Sequence, residues 1–162
     1  MKPVRIAVTL LFVFVASVAL AASSAQKSFE ELKSLDGSWE GKTPDGHPVQ
    51  VSYRVTGNGS AIMSEIKGHA DMISMFNLDG ERLLMTHYCG AGNQPRMVAS
   101  TSPDGKTLTF DFLDATNLAS PDAGHMTRLV LSMPDANHHT EEWIYSDHGK
   151  QEKEVFDLWR KK

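Results

Sequence analysis

The sequence predicts an all-β protein, an antiparallel up-and-down β-barrel of about ten strands with a short N-terminal helix. Three observations predict it. After residue 37, short β-type runs alternate with explicit turn chemistry along the whole chain. The links between runs are mostly too short for parallel crossovers, which need a dozen or more residues. No second helix is available to cover a sheet face, and closing the sheet on itself buries that face instead; a two-sheet sandwich is the alternative.

The first segment reads as a secretory signal. Lys2 and Arg5 give a positive start, residues 6–20 are uncharged and mostly apolar, and Ala19-Leu20-Ala21 offers a small-x-small cleavage pattern. Cleavage is expected after Ala21, with Ala25 as the alternative end, leaving residues 22–162 as a single domain. The apolar run falls short of the roughly 20 residues of a membrane span. It contains no twin arginine and no cysteine for lipid attachment. The expectation is a periplasmic or secreted protein with no membrane span after cleavage.

Removing Lys2 and Arg5 leaves 16 − 2 = 14 Lys+Arg against 20 Asp+Glu, a formal charge of −6. Nucleic-acid binding depends on neutralising phosphates with basic side chains, so no nucleic-acid partner is expected. An anionic membrane surface is disfavoured for the same reason. Cys89 is the only cysteine, so no internal disulfide can form. Free cysteine is commonly a small apolar filler, and that is the reading preferred here over a nucleophile.

Residues 28–35 (SFEELKSL) form the one helical stretch, with Ser28 as N-cap, Glu31 completing a capping box, and Phe29, Leu32 and Leu35 on one face. Asp36-Gly37 ends it. The turns that follow are Pro44-Asp45-Gly46, Gly57-Asn58-Gly59, Asp79-Gly80, Pro103-Asp104-Gly105, Pro134-Asp135-Ala136-Asn137 and Asp147-His148-Gly149, which supply the positive or preset φ that tight hairpins require. Strands are expected near 38–43, 48–56, 60–68, 71–78, 82–89, 95–102, 106–114, 124–133, 138–146 and 151–160. Alternation is plain where Val49, Val51, Tyr53 and Val55 share one face, and where Leu108, Phe110 and Phe112 do. Two longer irregular stretches, 90–95 and 115–123, are expected at a rim of the barrel. Asn58-Gly59-Ser60 matches a glycosylation sequon and is read as turn chemistry.

Residues 32–42 (LKSLDGSWEGK) lead a short helix into a Gly-x-Trp strand, and the last strand carries Trp159 and Arg160. This arrangement resembles the lipocalin-like, or calycin, superfamily of small up-and-down barrels, and within it the exported bacterial members of uncharacterised function. The resemblance implies that Gly37 and Trp39 stand at the closed end of the barrel and that Arg160 packs across the indole, a reasonable cation–π contact. The Thr-Asp-Tyr element and the disulfides of the larger lipocalins are absent. In outline the chain is also similar to the ten-stranded haem-binding nitrobindins, whose ligating histidine lies near the chain end. Residues 151–160 contain no histidine, and no cofactor is expected.

The densest polar cluster is His87-Tyr88-Cys89 followed by Gly90-Ala91-Gly92-Asn93-Gln94-Pro95-Arg96. Alternation puts Leu83, Met85, His87 and Cys89 on one face. If that face is inward, His87 and Cys89 reach the interior near a mouth, with Arg96 entering from the next strand and Asn93 and Gln94 on the rim. Such a group would anchor the polar end of a ligand in an apolar cavity, with Tyr53 and Trp143 lining or edging it. The alternative is a hairpin whose side chains satisfy their own backbone.

No metal site is expected: His138 and His139 point to opposite faces, and no Cys-x-x-Cys or His-x-x-x-His spacing occurs. His69 and Asp71 are spaced for one face, but Gly68 suggests a turn there; surface imidazoles are the preferred account of the histidines. Met63, Met72, Met75, Met85, Met97, Met126 and Met133 would serve equally as an adaptable ligand lining or as core. The function expected is binding of a small, largely apolar molecule. An envelope interaction module with a filled barrel is the alternative, and a hydrolase or isomerase using the His87 cluster is a weaker one.

Overall fold

The computed structural model describes residues 22–68 and 71–162; the segment expected from the sequence to be a signal and His69 lie outside the described residues. A helix, α1 (Ser24–Lys33), is followed by ten strands: β1 (Gly37–Lys42), β2 (Pro48–Thr56), β3 (Ala61–Lys67), β4 (Met72–Asp79), β5 (Arg82–Tyr88), β6 (Gln94–Thr101), β7 (Thr107–Thr116), β8 (His125–Asp135), β9 (His138–Asp147) and β10 (Lys150–Arg160). Each strand pairs antiparallel with its sequence neighbour, and β10 closes on β1 through Trp39↔Arg160, Glu40↔Trp159, Gly41↔Leu158 and Lys42↔Asp157. The fold is therefore a closed, ten-stranded, up-and-down barrel without a free sheet edge. Among the described residues no helix is long and apolar enough to cross a membrane.

Closure demands that β1 and β10 approach tightly, and Gly41 is the residue that permits it. A Cβ at Gly41 would stand well inside van der Waals contact of the Asp157 carbonyl oxygen. The hairpin turns carry the expected left-handed residues, including Asn58 (φ 53°) and His148 (φ 46°).

The helix begins earlier than the sequence suggests. Ser23, not Ser28, is the N-cap, its Oγ accepting from the Gln26 amide at 3.2 Å. Ser28 lies inside the helix, buried, with its Oγ 2.7 Å from Thr101 Oγ1. The added first turn is stabilised because Ala25 joins Phe29, Leu32 and Leu35 in the core, and a helix this short depends on such docking.

The interior is filled from the α1 end. Phe29, Leu32, Trp39, Phe76, Phe110, Phe156 and Leu158 are at most 2 % exposed. At this end Arg160 crosses the Trp39 ring at 4.2 Å. Its guanidinium donates to three carbonyls, those of Ala136 (2.9 Å), Asp36 (2.8 Å) and Ser34 (2.7 Å), while Trp39 Nε1 donates to Leu35 O at 2.8 Å. Gly37 (φ 125°) lies against the same guanidinium, where a Cβ would come within 3.2 Å of it. The helix exit, the first strand and the last strand are thus tied at one point, and this end of the barrel is sealed.

Two bulges redirect side chains at the opposite end. One register shift lies opposite Arg96 and Met97, where Arg96 pairs with Asp114 but Met97 with Phe112, leaving Leu113 as the extra residue. The other leaves Thr127 extra between Met126 and Arg128. A bulge moves the following residues to the other face of the strand. Met126 is accordingly buried beside His125, although alternation from Leu129 and Leu131 would turn it outward.

Candidate functional site

At the end remote from α1, the barrel opens into a recess of about 620 Å³. Its walls come from the β1–β2 turn (Thr43, Pro44, Asp45), the start of β4 (Met72), the β5–β6 turn (Cys89, Gly90, Ala91), β8 (Met126), β9 (Trp143, Tyr145) and β10 (Glu152, Lys153, Glu154). Alternation explains the composition. Glu141, Trp143 and Tyr145 share the inward face of β9, and Leu158, Phe156, Glu154 and Glu152 share that of β10. The register sets Trp143 beside Glu154 and Tyr145 beside Glu152. The recess is thus apolar and aromatic within, and rimmed by carboxylates.

Beneath it lies a buried polar layer. The Glu141 carboxylate accepts from the Tyr53 hydroxyl (2.6 Å) and from Trp143 Nε1 (2.9 Å), with His139 Nε2 at 3.4 Å. Burial pushes the Glu141 carboxyl up, but hydrogen bonds and charge from His139, with those from Tyr53 and Trp143, outweigh it and hold the group below its ordinary value. The Tyr53 phenol is driven well above its usual range by burial and then by the Glu141 charge. Trp143 links the two layers: its N–H is held from below, its ring reaches the recess, and His87 packs on it at a centroid distance of 4.8 Å.

The residues expected from the sequence divide clearly. His87 and Cys89 share one face, as alternation required, and that face is the inward one. Cys89 lines the recess; His87 is fully buried beside Trp143, its Nδ1 2.9 Å from Ser74 Oγ and its Nε2 without a partner among the described residues. Burial, opposed by the Glu141 charge, pushes the His87 imidazole down to about 4, so it is neutral at neutral pH. That ring's Nδ1 is hydrogen-bonded with the Ser74 hydroxyl.

Arg96 does not enter the barrel. The buried Met97 next to it puts Arg96 on the outer face, where its Nε donates to Asp114 Oδ1 at 2.6 Å and its Nη2 to Oδ2. The Leu113 bulge is what turns Asp114 outward to meet it.

Asn93 and Gln94 serve the rim itself. Asn93 is buried and donates to Gly124 O (2.8 Å); Gln94 donates to Gly92 O (3.1 Å) and accepts from Thr116 Oγ1 (2.7 Å); Asn117 also donates to Gly92 O (2.7 Å). The two irregular stretches are therefore bound to each other at the mouth. Tyr53 lies below the recess and binds Glu141, so it lines no part of the opening. Trp143 does line it.

The surface reading of the histidines fails for His139 and His125, which are buried; His139 packs edge-on against Trp39 at 4.3 Å. His138, on the opposite face as expected, meets Asp157 at 2.5 Å and stacks on Trp159. Of the methionines, Met72 and Met126 line the recess, Met85, Met97 and Met133 are core, and Met63 and Met75 are partly exposed on the outer face.

Sequence reasoning missed Glu141, His139, Tyr145, Glu152 and Glu154. The signal for Glu141 and Tyr145 was present: both stand two residues from Trp143 on one strand, so any argument that turned Trp143 inward also turned them. At the mouth, Gly124 is required because the Tyr145 hydroxyl occupies the position its Cβ would take.

No protein-family model and no curated protein matches the chain. Among solved structures it is similar to the crystal structure of Rv2717c from M. tuberculosis, at 17 % identity and a TM-score of 0.54, over 83 % of this chain and 98 % of that one. At that identity the likeness concerns the barrel fold alone.

Proposed function

We propose that this chain is an exported, calycin-like barrel that takes a small, largely apolar molecule into its open mouth. The observation that carries the reading is the asymmetry of the interior. One end is sealed by α1, Trp39 and Arg160, while the other holds a recess of about 620 Å³ walled by Met72, Cys89, Met126, Trp143 and Tyr145. That volume and lining are those of small-molecule sites, which combine apolar walls with a few placed polar groups. Trp143 is the central contact, and Glu141 is a positioning residue that holds the indole through its N–H.

A test is native mass spectrometry of protein purified gently from the exported fraction, compared with its denatured mass. An excess mass lost on denaturation, and reduced in Trp143→Ala, is the expected result. The bare polypeptide mass, together with no displaceable binding of an apolar fluorescent probe, would sink the reading.

One observation favours a second reading, an envelope interaction module. Below Trp143 the barrel is filled by side chains, and Ile73, Tyr88, Leu113 and Trp159 are exposed. Loss of an envelope partner on Tyr88→Ser, with no small molecule bound to the parent, would favour it.

A further inference from the structure

We propose that the mouth selects cationic or neutral apolar molecules and rejects anionic ones; this rests on the recess being a ligand site.

Among the described residues three carboxylates belong to its wall, Asp45, Glu152 and Glu154; Asp45 also meets His47 Nε2 at 3.1 Å, in a pair as exposed as that of Glu152. Glu152 and Glu154 are there by the period of β10, which sets them in line with buried Phe156 and Leu158 on the inward face. Lys153, the one basic residue of the wall among the described residues, lies on the other face of β10 and is drawn to Glu142 at 3.2 Å. Lys150 meets Glu152 at 2.9 Å, but both groups are well over half exposed, and such a pair is easily opened by a competing cation. The basic groups that the sequence offered as a polar anchor are not available to an anion: Arg96 is outside on Asp114, and His87 is buried beside Trp143 and held neutral.

The aromatic walls act in the same direction. Trp143 and Tyr145 stand beside Glu154 and Glu152 across the β9–β10 pair. An aromatic face attracts a cation through its quadrupole, most strongly for indole. Here the Trp143 N–H donates to the buried Glu141 carboxylate, which pushes electron density back into the ring. A carboxylate-headed ligand would meet both the rim charges and these negative faces. An ammonium with an apolar body would be matched by both.

The experiment uses three probes with one apolar body: decyltrimethylammonium, decanol and decanoate, each kept submicellar. Binding to the exported protein is followed by calorimetry and tryptophan emission at low ionic strength. One-to-one binding is expected for the cation and the alcohol, with the cation favoured over decanoate by about tenfold or more, as steering and cation–π attraction together allow.

The Glu152→Gln/Glu154→Gln variant should lose most of that preference. Glu40→Gln, an outward carboxylate on β1, should keep it and so separates the mouth from general surface charge. Decanoate binding as tightly as the cation would overturn the charge selection while leaving the recess a ligand site. Unaltered selectivity in the double variant would overturn the assignment to these carboxylates. Absence of one-to-one binding by all three probes would overturn the recess as a site, and the selection with it.

Discussion

Tyr53→Phe isolates the buried polar layer with the least disturbance, because it removes one oxygen and leaves the ring where it packs against Phe76 and His139. The lost contact is a 2.6 Å bond from the phenol to Glu141 Oε1, with both residues at most 3 % exposed. A hydrogen bond to a buried charged acceptor is worth about 1.5–3 kcal/mol. The carboxylate keeps Trp143 at 2.9 Å and His139 at 3.4 Å, so the fold should survive. For a domain of this size the loss corresponds to a fall in Tm of about 4–10 °C.

The acid limb supplies a second readout. Glu141 is held below its ordinary pKa in the folded protein, so its contribution is present above the unfolded value and is lost as pH falls through the folded one. Removing a donor raises the folded value, and the variant should therefore begin to lose stability at a higher pH than the parent. Urea unfolding across pH 3–7 measures both effects. A change below about 0.5 kcal/mol, the range of ordinary surface substitutions, with an unmoved acid limb would refute the claim that the phenol sustains a buried carboxylate.

Gly41→Ala should cost about 1–3 kcal/mol or more, as overpacking does, because its Cβ collides with the Asp157 backbone; amide exchange would show the loss confined first to the β1–β10 seam. Arg160→Lys should fail to rescue Arg160→Met, since one ammonium cannot span three carbonyls and stack on Trp39; each should cost about 2–3 kcal/mol in denaturant. Gly124→Ala should displace the Tyr145 phenol and weaken probe binding at the mouth without a comparable loss of stability, measured by calorimetry beside thermal melts. Arg96→Ala should leave probe binding unchanged, and a large loss would contradict its outward placement. His148 is raised by its hydrogen bond and attraction to Asp147, and by Asp122; whatever it contributes is complete below its unfolded pKa and lost as pH rises through the folded one. Proton NMR titration should find its midpoint above the ordinary histidine value.

How far the sequence could be read depended on the range of the interaction involved. All ten strands stand within about two residues of their expected places, because period-2 alternation and the φ demands of Gly, Asn, Asp and Pro act over a few neighbouring residues. The N-cap stands five residues before its expected place, Ser23 in place of Ser28, because the helix gains a first turn whose Ala25 packs against the core, a contact that no local pattern contains. That His87 and Cys89 share one face was legible from alternation alone; that this face points inward was not, because alternation does not say which face is buried. Arg96 was not misread for want of signal: the same alternation, counted from Met97, places it outside.

What the sequence determined by itself was the fold class, the order and length of the strands, and which residues share a face. The tertiary structure decided depth along the barrel axis and partnership across strands. Depth put Tyr53 below the recess and Glu152 and Glu154 at its mouth. Partnership brought Tyr53 to Glu141 across 88 positions of the chain, and the Leu113 and Thr127 bulges reset the inward face of β7 and β8. These features follow from register summed around a closed ring of ten strands, a global condition that no local window of residues contains.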